Sequence, residues 1–465
     1  MMRMAFLQPA RRRLCSERDW EGGELAVGMR GDRRKGVSGA LLIGDTVREV
    51  NHMTFRIGVA MLLVVSAAHA ATTVRLMEPL KTDARHREPL QPLVLQRETV
   101  KVSLEFPKAD RLIIPLFHRT VIARRDKLEF AADEATWAGH IINEPESAVL
   151  LAIVEDSVSG TIIRGDGTQY RIRMLHSGVH VLERINNSRS LPEEGPPSHA
   201  KPCDPPQQLL PMPPVPACTT DTKPIIDLLV LYTKHARQAA GGPSKIQSLI
   251  NLAALETNWS FSHSRVKAAV RVVHKEEVTD PESGFLEQDR DALQAAGDGV
   301  FDAAQQLRED YGADAVFLIV ENGDRAGQSL IMEKASADFE SKAFSVVLRE
   351  NATDNFSFTH ELGHLMGARH EWSADCTNDS PFASNHGYVR LHPNFGRKPW
   401  RTIMATSNEC IRVNALDCRR ILRWSDPSAR LLTGDRLGAG EPTPTDNHSA
   451  LNQTALIVAQ FRCHK

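Results

Sequence analysis

The segment 360–370 holds the side chains of this chain that are best suited to chemistry. It contains His360, Glu361, His364 and His370 in the order HELGHLMGARH. Residues four apart on a helix lie on one face about a turn from each other, so His360 and His364 can direct their imidazole nitrogens at one ion. With His370 as a third ligand, a fourth position stays open for water, as in catalytic rather than structural zinc sites. The spacing therefore predicts one catalytic zinc ion.

Two further residues of the segment fit this prediction. Glu361 follows the first ligand and can reach a water in the open position without binding the metal, so we expect it to be the general base. Gly367 can adopt the left-handed conformation that ends a helix, which lets the chain turn and bring His370 back to the ion. An accidental pair of helical histidines is common, but the added glycine and third histidine make the pattern specific.

Composition and charge exclude several other classes of protein. A chain of 465 residues predicts two or three domains, and its 42% hydrophobic and 25% charged residues are typical of globular proteins. The net charge of −2 gives no argument for nucleic-acid binding. There is no basic cluster interleaved with aromatic residues and no glycine-rich phosphate loop. We expect no nucleic-acid partner and no stable membrane anchor.

Residues 53–70 have the three parts of a signal peptide. Arg56 follows the start at Met53, residues 57–65 are apolar but too few to span a bilayer, and Ala68-His69-Ala70 is a small-residue cleavage site. A buried helix and a signal anchor are the alternatives. We expect a secreted, extracellular protein that passes through the periplasm in transit, and we expect residues 1–52 to be a spurious N-terminal extension.

The cysteines agree with export to an oxidising compartment. Six of the seven lie beyond the signal peptide, and an even number suits disulfide formation: Cys203, Cys218, Cys376, Cys410, Cys418 and Cys463. The last four allow three pairings, which the sequence leaves open. Cys203 and Cys218 lie in a proline-rich stretch, where they either form a disulfide or supply a thiolate to the open zinc position.

The chain predicts a β-rich region followed by an α/β region. Residues 71–185 contain strand-like runs, residues 186–223 form a proline-rich linker with a processing site, and residues 224–465 alternate between buried strands and helices. The alternation predicts a mostly parallel twisted sheet with the zinc in its cleft. The predicted helices cover 244–258, 289–309 and 452–461. The run Phe344–Leu348 is a candidate edge strand for pairing with an extended substrate.

With these motifs, residues 225–465 resemble the metzincin metallopeptidases, and most closely the bacterial peptidyl-Asp metalloendopeptidases, which are related to reprolysins. The resemblance is carried by the zinc motif, by residues 228–233, and by the stretch from Trp400 to Pro427. It implies a zinc endopeptidase that acts on proteins or peptides, and a zymogen whose β-rich pro-domain is an inhibitor. It also implies that Met404 is the methionine of the Met-turn beneath the three histidines.

The resemblance also implies a preference for acidic residues, above all Asp, at the cleavage site. The candidate cations for such a pocket are Arg390, Arg397, Lys398 and Arg401, although solvated loop charge is the plainer interpretation of each. Glu371 follows the third histidine, where relatives often have Asp. We expect His386 and His392 on the surface rather than on the metal. The alternative function is a secreted zinc-binding, adhesin-like protein with a vestigial peptidase site.

Overall fold

We describe the protein from a computed structural model, which covers residues 71–80, 90–192, 223–377, 381–413 and 418–463. The chain divides into two units, 1–67 and 68–465, and all described residues belong to the second. The expected leader 1–52, the expected signal peptide 53–70, and both Cys203 and Cys218 lie outside the described residues. Within the described ranges, no helix combines the length and apolar character needed to cross a bilayer.

The N-terminal part of the second unit is a ten-stranded sheet, which confirms the predicted β-rich character of this region. Its neighbours pair antiparallel except for one parallel pair, β1 with β4, in the order β1-β4-β5-β6-β7-β8-β9-β10-β3-β2. The strands are β1 (Thr73–Arg75), β2 (Met77–Pro79), β3 (Val94–Val102), β4 (Arg111–Leu116), β5 (Arg119–Ala131), β6 (Glu134–Ile141), β7 (Ala148–Val154), β8 (Ser157–Ile163), β9 (Gln169–His176) and β10 (Val179–Ile185).

The C-terminal part is an α/β fold around a five-stranded sheet of order β12-β11-β13-β15-β14. The first four strands are parallel and β14 is antiparallel to β15. Its elements are β11 (Ile225–Thr233), α1 (Lys234–Ala240), α2 (Pro243–His263), β12 (Ala269–Val278), α3 (Leu286–Gln294), α4 (Ala303–Tyr311), β13 (Ala315–Val320), β14 (Gly327–Ser329), β15 (Phe344–Leu348), α5 (Arg349–Asp354) and α6 (Ser357–Leu365).

The remaining residues form small sheets and two helices that follow α6. Strands β16, β17 and β18 make a three-stranded sheet, and β19 pairs with β20. The elements are β16 (Val389–Arg390), β17 (Trp400–Arg401), α7 (Asn408–Arg412), β18 (Arg419–Arg420), β19 (Asp426–Arg430), β20 (Arg436–Leu437) and α8 (Asn447–Val458).

The structure corrects three of the predicted elements. The strand β15 lies inside the sheet, and the edge is β14, whose sequence Gly-Gln-Ser carries no strand pattern. The predicted helix 289–309 is two helices, because Gly297 and Gly299 have φ of +80° and +87° between them. The last helix begins earlier than predicted, where Asp446 caps it by accepting a hydrogen bond from Ser449 N.

The helix α2 joins the two large sheets into one packed structure. Alternate residues of β7 point to opposite faces, so Leu151 packs in the core of the ten-stranded sheet while Leu150 packs against α2. Polar contacts complete this interface: Thr161 Oγ1 donates to Glu256 Oε1 at 2.6 Å, and the hydroxyl oxygens of Ser159 and Ser248 are 2.9 Å apart. One side of α2 therefore packs on the ten-stranded sheet, and another side packs on the five-stranded sheet.

The first residues of the predicted linker are packed rather than extended. Residues Asn187–Arg189 form a 3₁₀ turn, and the side chain of Asn187 is only 2% exposed. Pro192 O accepts a hydrogen bond of 2.8 Å from Ala326 N, next to the edge strand β14. The β-rich region thus continues into contacts with the C-terminal part before the proline-rich residues begin.

The carboxyl group of Glu256 gives a test of the interface at α2. Burial raises the pKa of Glu256 well above its usual range, and the hydrogen bond from Thr161 opposes this only in part. A raised pKa in the folded state contributes stability that is complete below about pH 4 and is lost as the pH rises. We expect Glu256→Gln to match the wild type in Tm at pH 4 and to exceed it by about 2–4 °C or more at pH 8, measured by thermal unfolding of the full chain.

The matched control is Glu129→Gln, at an exposed position of β5 in the ten-stranded sheet, which should leave the Tm close to that of the wild type. A Glu256→Gln chain that is less stable than the wild type at pH 8 would contradict the buried, protonated state of this group.

Candidate metal centre

The helix α6 carries the first two histidines and ends in a glycine turn. Gly367 has φ of +85°, its N–H donates to His364 O at 2.9 Å, and Ala368 N–H donates to Gly363 O at 2.8 Å. This pair of bonds is a Schellman motif, which requires a left-handed residue at the position of Gly367. The turn reverses the chain directly after α6, as the sequence predicts.

The structure brings the three predicted histidines together. The Nε2 atoms of His360, His364 and His370 form a triangle with all three sides 3.1 Å. His360 Nδ1 donates to Ile403 O and His364 Nδ1 donates to Ala368 O, both at 2.9 Å, so their Nε2 lone pairs face one another. Three such lone pairs repel unless a cation lies between them. The donor set therefore fits a divalent metal held by three imidazoles.

Electrostatics favour the neutral, metal-binding form of these rings. The side chains of His360, His364 and His370 are all buried. Burial lowers the pKa of His360 well below its usual value, and the charge of Arg420 lowers it further. A neutral imidazole is the form that binds metal, so the cluster is preorganised for an ion.

The segment that contains Met404 lies against the metal helix. Ile403 supplies the carbonyl that holds His360, and Ala405 N–H donates to Thr402 O at 3.1 Å in a tight turn. A β-carbon at Gly363 would come within 2.5 Å of Met404 Sδ, so the helix and this turn meet in direct contact. The structure thus places Met404 where the resemblance expects the Met-turn.

Glu361 is buried between α6 and the edge strand. A β-carbon at Gly327 of β14 would lie 2.8 Å from Glu361 Cδ, so the carboxyl group packs directly on the glycine backbone. A side chain at position 327 would displace the carboxyl group of Glu361 from this position. This contact depends on tertiary structure, and no signal in the sequence pointed to it.

The segment with His370 is fixed by a short bridge to a later loop. Arg369 N–H donates to Asn385 O at 2.7 Å, and Gly387 N–H donates to Arg369 O at 2.9 Å. His386 Nδ1 lies 2.7 Å from His370 O. These bonds hold the backbone on both sides of the third ligand.

The expectation that His386 is a surface residue is wrong. Its side chain is fully buried, its Nε2 lies 2.7 Å from Thr377 O, and its ring stacks on Trp372 with centroids 4.0 Å apart. Burial lowers the pKa of His386. Its Nδ1 faces His370 O and its Nε2 faces Thr377 O, so the ring packs against the backbone of the third ligand and does not point at the metal. His392 is exposed, as expected.

Glu371 ties the third ligand to the turn after Met404. Its Oε2 accepts from Thr406 N at 2.6 Å and its Oε1 accepts from Thr406 Oγ1 at 2.7 Å. The sequence singled out Glu371 only as a departure from the family pattern, and the structure shows its contacts. The matching hydroxyl at Thr406 lies 35 residues away, so spacing alone could not pair them.

The four cations predicted to form an acidic-substrate pocket lie in different surroundings. Arg390 Nε pairs with Asp435 at 3.1 Å, and Arg397 Nη1 donates to Gly165 O at 3.2 Å. Lys398 is exposed. Arg401 is not a solvated loop charge, because its side chain is only 3% exposed and its Nη1 donates to Ala405 O at 2.8 Å.

Arg420 is a further cation at the centre, and the sequence analysis missed it. Its Nη1 donates to Asn355 O at 2.9 Å and its Nη2 donates to Ala405 O at 3.2 Å. It therefore links the backbone two residues before α6 to the turn after Met404. The sequence of β18, Arg419–Arg420, resembles any exposed basic pair, so nothing marked it.

The four C-terminal cysteines are all disulfide-bonded. Cys410 is bonded to Cys418, and Cys376 and Cys463 are disulfide-bonded as well. The bond between Cys410 and Cys418 selects one of the pairs that the sequence left open.

Comparison with known proteins gives the family. A profile described as Reprolysin_5, metallo-peptidase family M12, matches residues 222–419. A peptidyl-Asp metalloendopeptidase of Xanthomonas campestris pv. campestris is 30% identical over 327 residues, which cover 69% of this chain and 71% of that protein. This chain belongs to the metzincin-like M12 metallopeptidases and is a metalloendopeptidase.

Other relatives of this metallopeptidase cover more of the chain. A peptidyl-Asp metalloendopeptidase of Stenotrophomonas maltophilia strain K279a is 29% identical over 432 residues, which cover 86% of this chain and 96% of that protein. The similarity therefore extends into the β-rich region as well. Among solved structures, metalloproteinase-II from Bacteroides fragilis is 11% identical with a TM-score of 0.35, covering 59% of this chain and 86% of that chain.

The contact between Gly327 and Glu361 leads to a test. We expect Gly327→Ala to lower kcat by about tenfold or more, with bound metal unchanged, because the added methyl group displaces the carboxyl group. The measurement is steady-state hydrolysis of a peptide together with metal content.

Gly440→Ala is the matched control, since a β-carbon at Gly440 meets nothing within 4 Å. A Gly327→Ala enzyme with wild-type kcat would show that the position of Glu361 does not depend on this glycine.

Proposed function

We propose that the protein is a secreted zinc endopeptidase that is made as a zymogen and prefers acidic residues, above all Asp, at the cleavage site. The observation that carries this proposal is the triangle of Nε2 atoms of His360, His364 and His370. Glu361 directly follows His360 on α6. Three imidazole nitrogens suit zinc among the divalent metals available to such a site. The acidic preference is supported by the relatives, which are peptidyl-Asp metalloendopeptidases.

The chain supplies the ligands and the proton transfer of the reaction. When bound, zinc supplies Lewis-acid activation of a water molecule and of the scissile carbonyl. Glu361 accepts a proton from the attacking water on a carboxylate oxygen and returns it to the nitrogen of the leaving amine. The edge strand β14 lies beside this carboxyl group and offers backbone groups to an extended peptide.

The role of Glu361 can be separated from metal binding. We expect Glu361→Gln to keep one bound zinc and to lower kcat by about 10²–10⁴-fold, because it loses the proton acceptor but none of the three ligands. Metal analysis and a chelator-sensitive casein or peptide assay measure the two properties. His364→Ala is the matched comparison and should lose the metal as well as the activity.

Two results of this experiment would contradict the proposal. Wild-type protein that holds zinc and cleaves no peptide would support the adhesin-like alternative, which the family membership does not favour. An active Glu361→Gln variant would remove the carboxylate from the mechanism.

The β-rich region is proposed to be an inhibitory pro-domain, and its contacts near the metal helix support this. Arg171 forms a buried ion pair with Asp354, at the end of the helix before α6. Asn187 accepts a hydrogen bond of 3.0 Å from Arg420 N and donates one of 2.9 Å to Arg420 O. Cleavage after Asn187, within the linker 186–223, and loss of the chain that precedes the cut would free both positions.

This proposal predicts partial activation without cleavage. We expect Asn187→Ala to raise the activity of the uncut chain about tenfold, because the loss of two buried hydrogen bonds weakens docking near Arg420. The measurement is initial-rate hydrolysis with chain length checked by gel electrophoresis. Ser177→Ala, at an exposed turn of the same sheet, is the control and should change nothing. Unchanged or lower activity for Asn187→Ala would contradict inhibition at this contact.

A further inference from the structure

The C-terminal helix α8 places two buried polar side chains on one face. Asn447 and Thr454 lie about two turns apart, so their side chains point the same way. Both are 0% exposed, although amide and hydroxyl side chains in proteins usually face water. The face that they share is turned inward, and a buried polar group needs a hydrogen-bond partner inside the protein.

Thr454 reaches the end of the metal helix α6. Its Oγ1 lies 2.7 Å from O of Met366, the C-cap of α6, and 3.2 Å from Ala450 O one turn earlier in α8. The last carbonyl groups of a helix have no partner within the helix, and a buried carbonyl without a partner is costly. The hydroxyl group of Thr454 therefore supports the turn that redirects the chain after the second histidine.

Asn447 reaches the segment of the third histidine through Asn385. Asn447 Nδ2 donates to Asn385 O at 2.5 Å. The same oxygen accepts a hydrogen bond of 2.7 Å from the N–H of Arg369, the residue before His370. Asn385 Nδ2 in turn donates to Gly367 O at 2.5 Å. Asn385 thus spans the turn from residue 367 to residue 369, and Asn447 holds it from the side of α8.

A second chain of contacts runs from Asn447 to the third ligand. Ser425 Oγ accepts from Asn447 N at 2.8 Å and lies 2.6 Å from His386 O. His386 Nδ1 lies 2.7 Å from His370 O. Ser425 and His386 are both 0% exposed. Hydrogen bonds are stronger in a buried, weakly polar interior, so these contacts restrain the backbone of the third ligand.

We propose that Asn447 and Thr454 are positioning residues for the metal centre, which hold the turn after α6 so that His370 completes the ligand set. His360 and His364 are related by their own helix, whereas His370 lies beyond its end. This inference rests on the proposed role of the three histidines as zinc ligands. It assigns part of the zinc affinity to α8, a helix that contributes no ligand.

The experiment measures the dissociation constant of zinc from the full chain, by competition with a chelator, and the absorption spectrum of the chain loaded with Co²⁺. Thr454→Val keeps the shape of the side chain but loses the hydroxyl group, and Asn447→Asp keeps the shape but loses the donor to Asn385 O. We expect each variant to weaken zinc binding about tenfold or more and to alter the Co²⁺ spectrum, because the third ligand is less well placed.

Two further variants are the matched controls. Thr454→Ser keeps the hydroxyl group and should bind zinc as the wild type does. Gln453→Ala changes the neighbouring, exposed position of α8 and should leave both the dissociation constant and the spectrum unchanged.

A merely structural role gives a different result, namely a lower Tm of the metal-free chain with an unchanged dissociation constant for zinc. That result would overturn the proposal, and so would a Thr454→Ser variant that loses as much affinity as Thr454→Val. If Asn447→Asp does not fold, the two Thr454 variants decide the question. A wild-type chain that binds no zinc would instead refute the proposed metal site itself.

Discussion

The requirement that three imidazole lone pairs meet at one point governs the C-terminal part of the protein. Two of the rings come from a helix, but the third must come from an extended segment that returns from it. The Schellman turn at Gly367 provides the reversal, and the carbonyl of Ile403 fixes the tautomer of His360 from the opposite side. A carbonyl oxygen accepts a hydrogen bond from Nδ1 of His360 and another from Nδ1 of His364. The Nε2 lone pairs of these two rings therefore face the centre of the cluster. The later loops are needed chiefly to hold these supports.

The turn after Met404 connects those supports to one another. Ala405 and Thr406 receive hydrogen bonds from two arginines and give hydrogen bonds to Glu371, which follows the third ligand. The same few residues thus support His360, restrain the segment of His370, and gather positive charge beside the metal.

The sequence could predict the features that local spacing determines, but not those that depend on tertiary contacts. The three histidines, Glu361 and Gly367 lie within eleven residues, where helical geometry alone relates their side chains. Strand β7 was also recognisable, because a run of seven apolar residues fits a strand buried on both faces. Gly327 and Arg420 were not predictable, since each acquires its role from a residue more than 30 positions away. The short edge strand β14 has no apolar alternation, and only its pairing with β15 defines it.

The shared helix α2 has a consequence for maturation under the proposed zymogen. Cleavage within the linker 186–223 breaks one covalent link but leaves the packing of α2 against β7 and β8 intact. Loss of the pro-region therefore depends on the strength of a noncovalent interface that buries Glu256 and Asp354. Burial raises the pKa of Glu256 well above its usual range. Since the free surface would let Glu256 ionise, the interface weakens as the pH rises, and dissociation after cleavage is favoured in neutral surroundings over acidic ones.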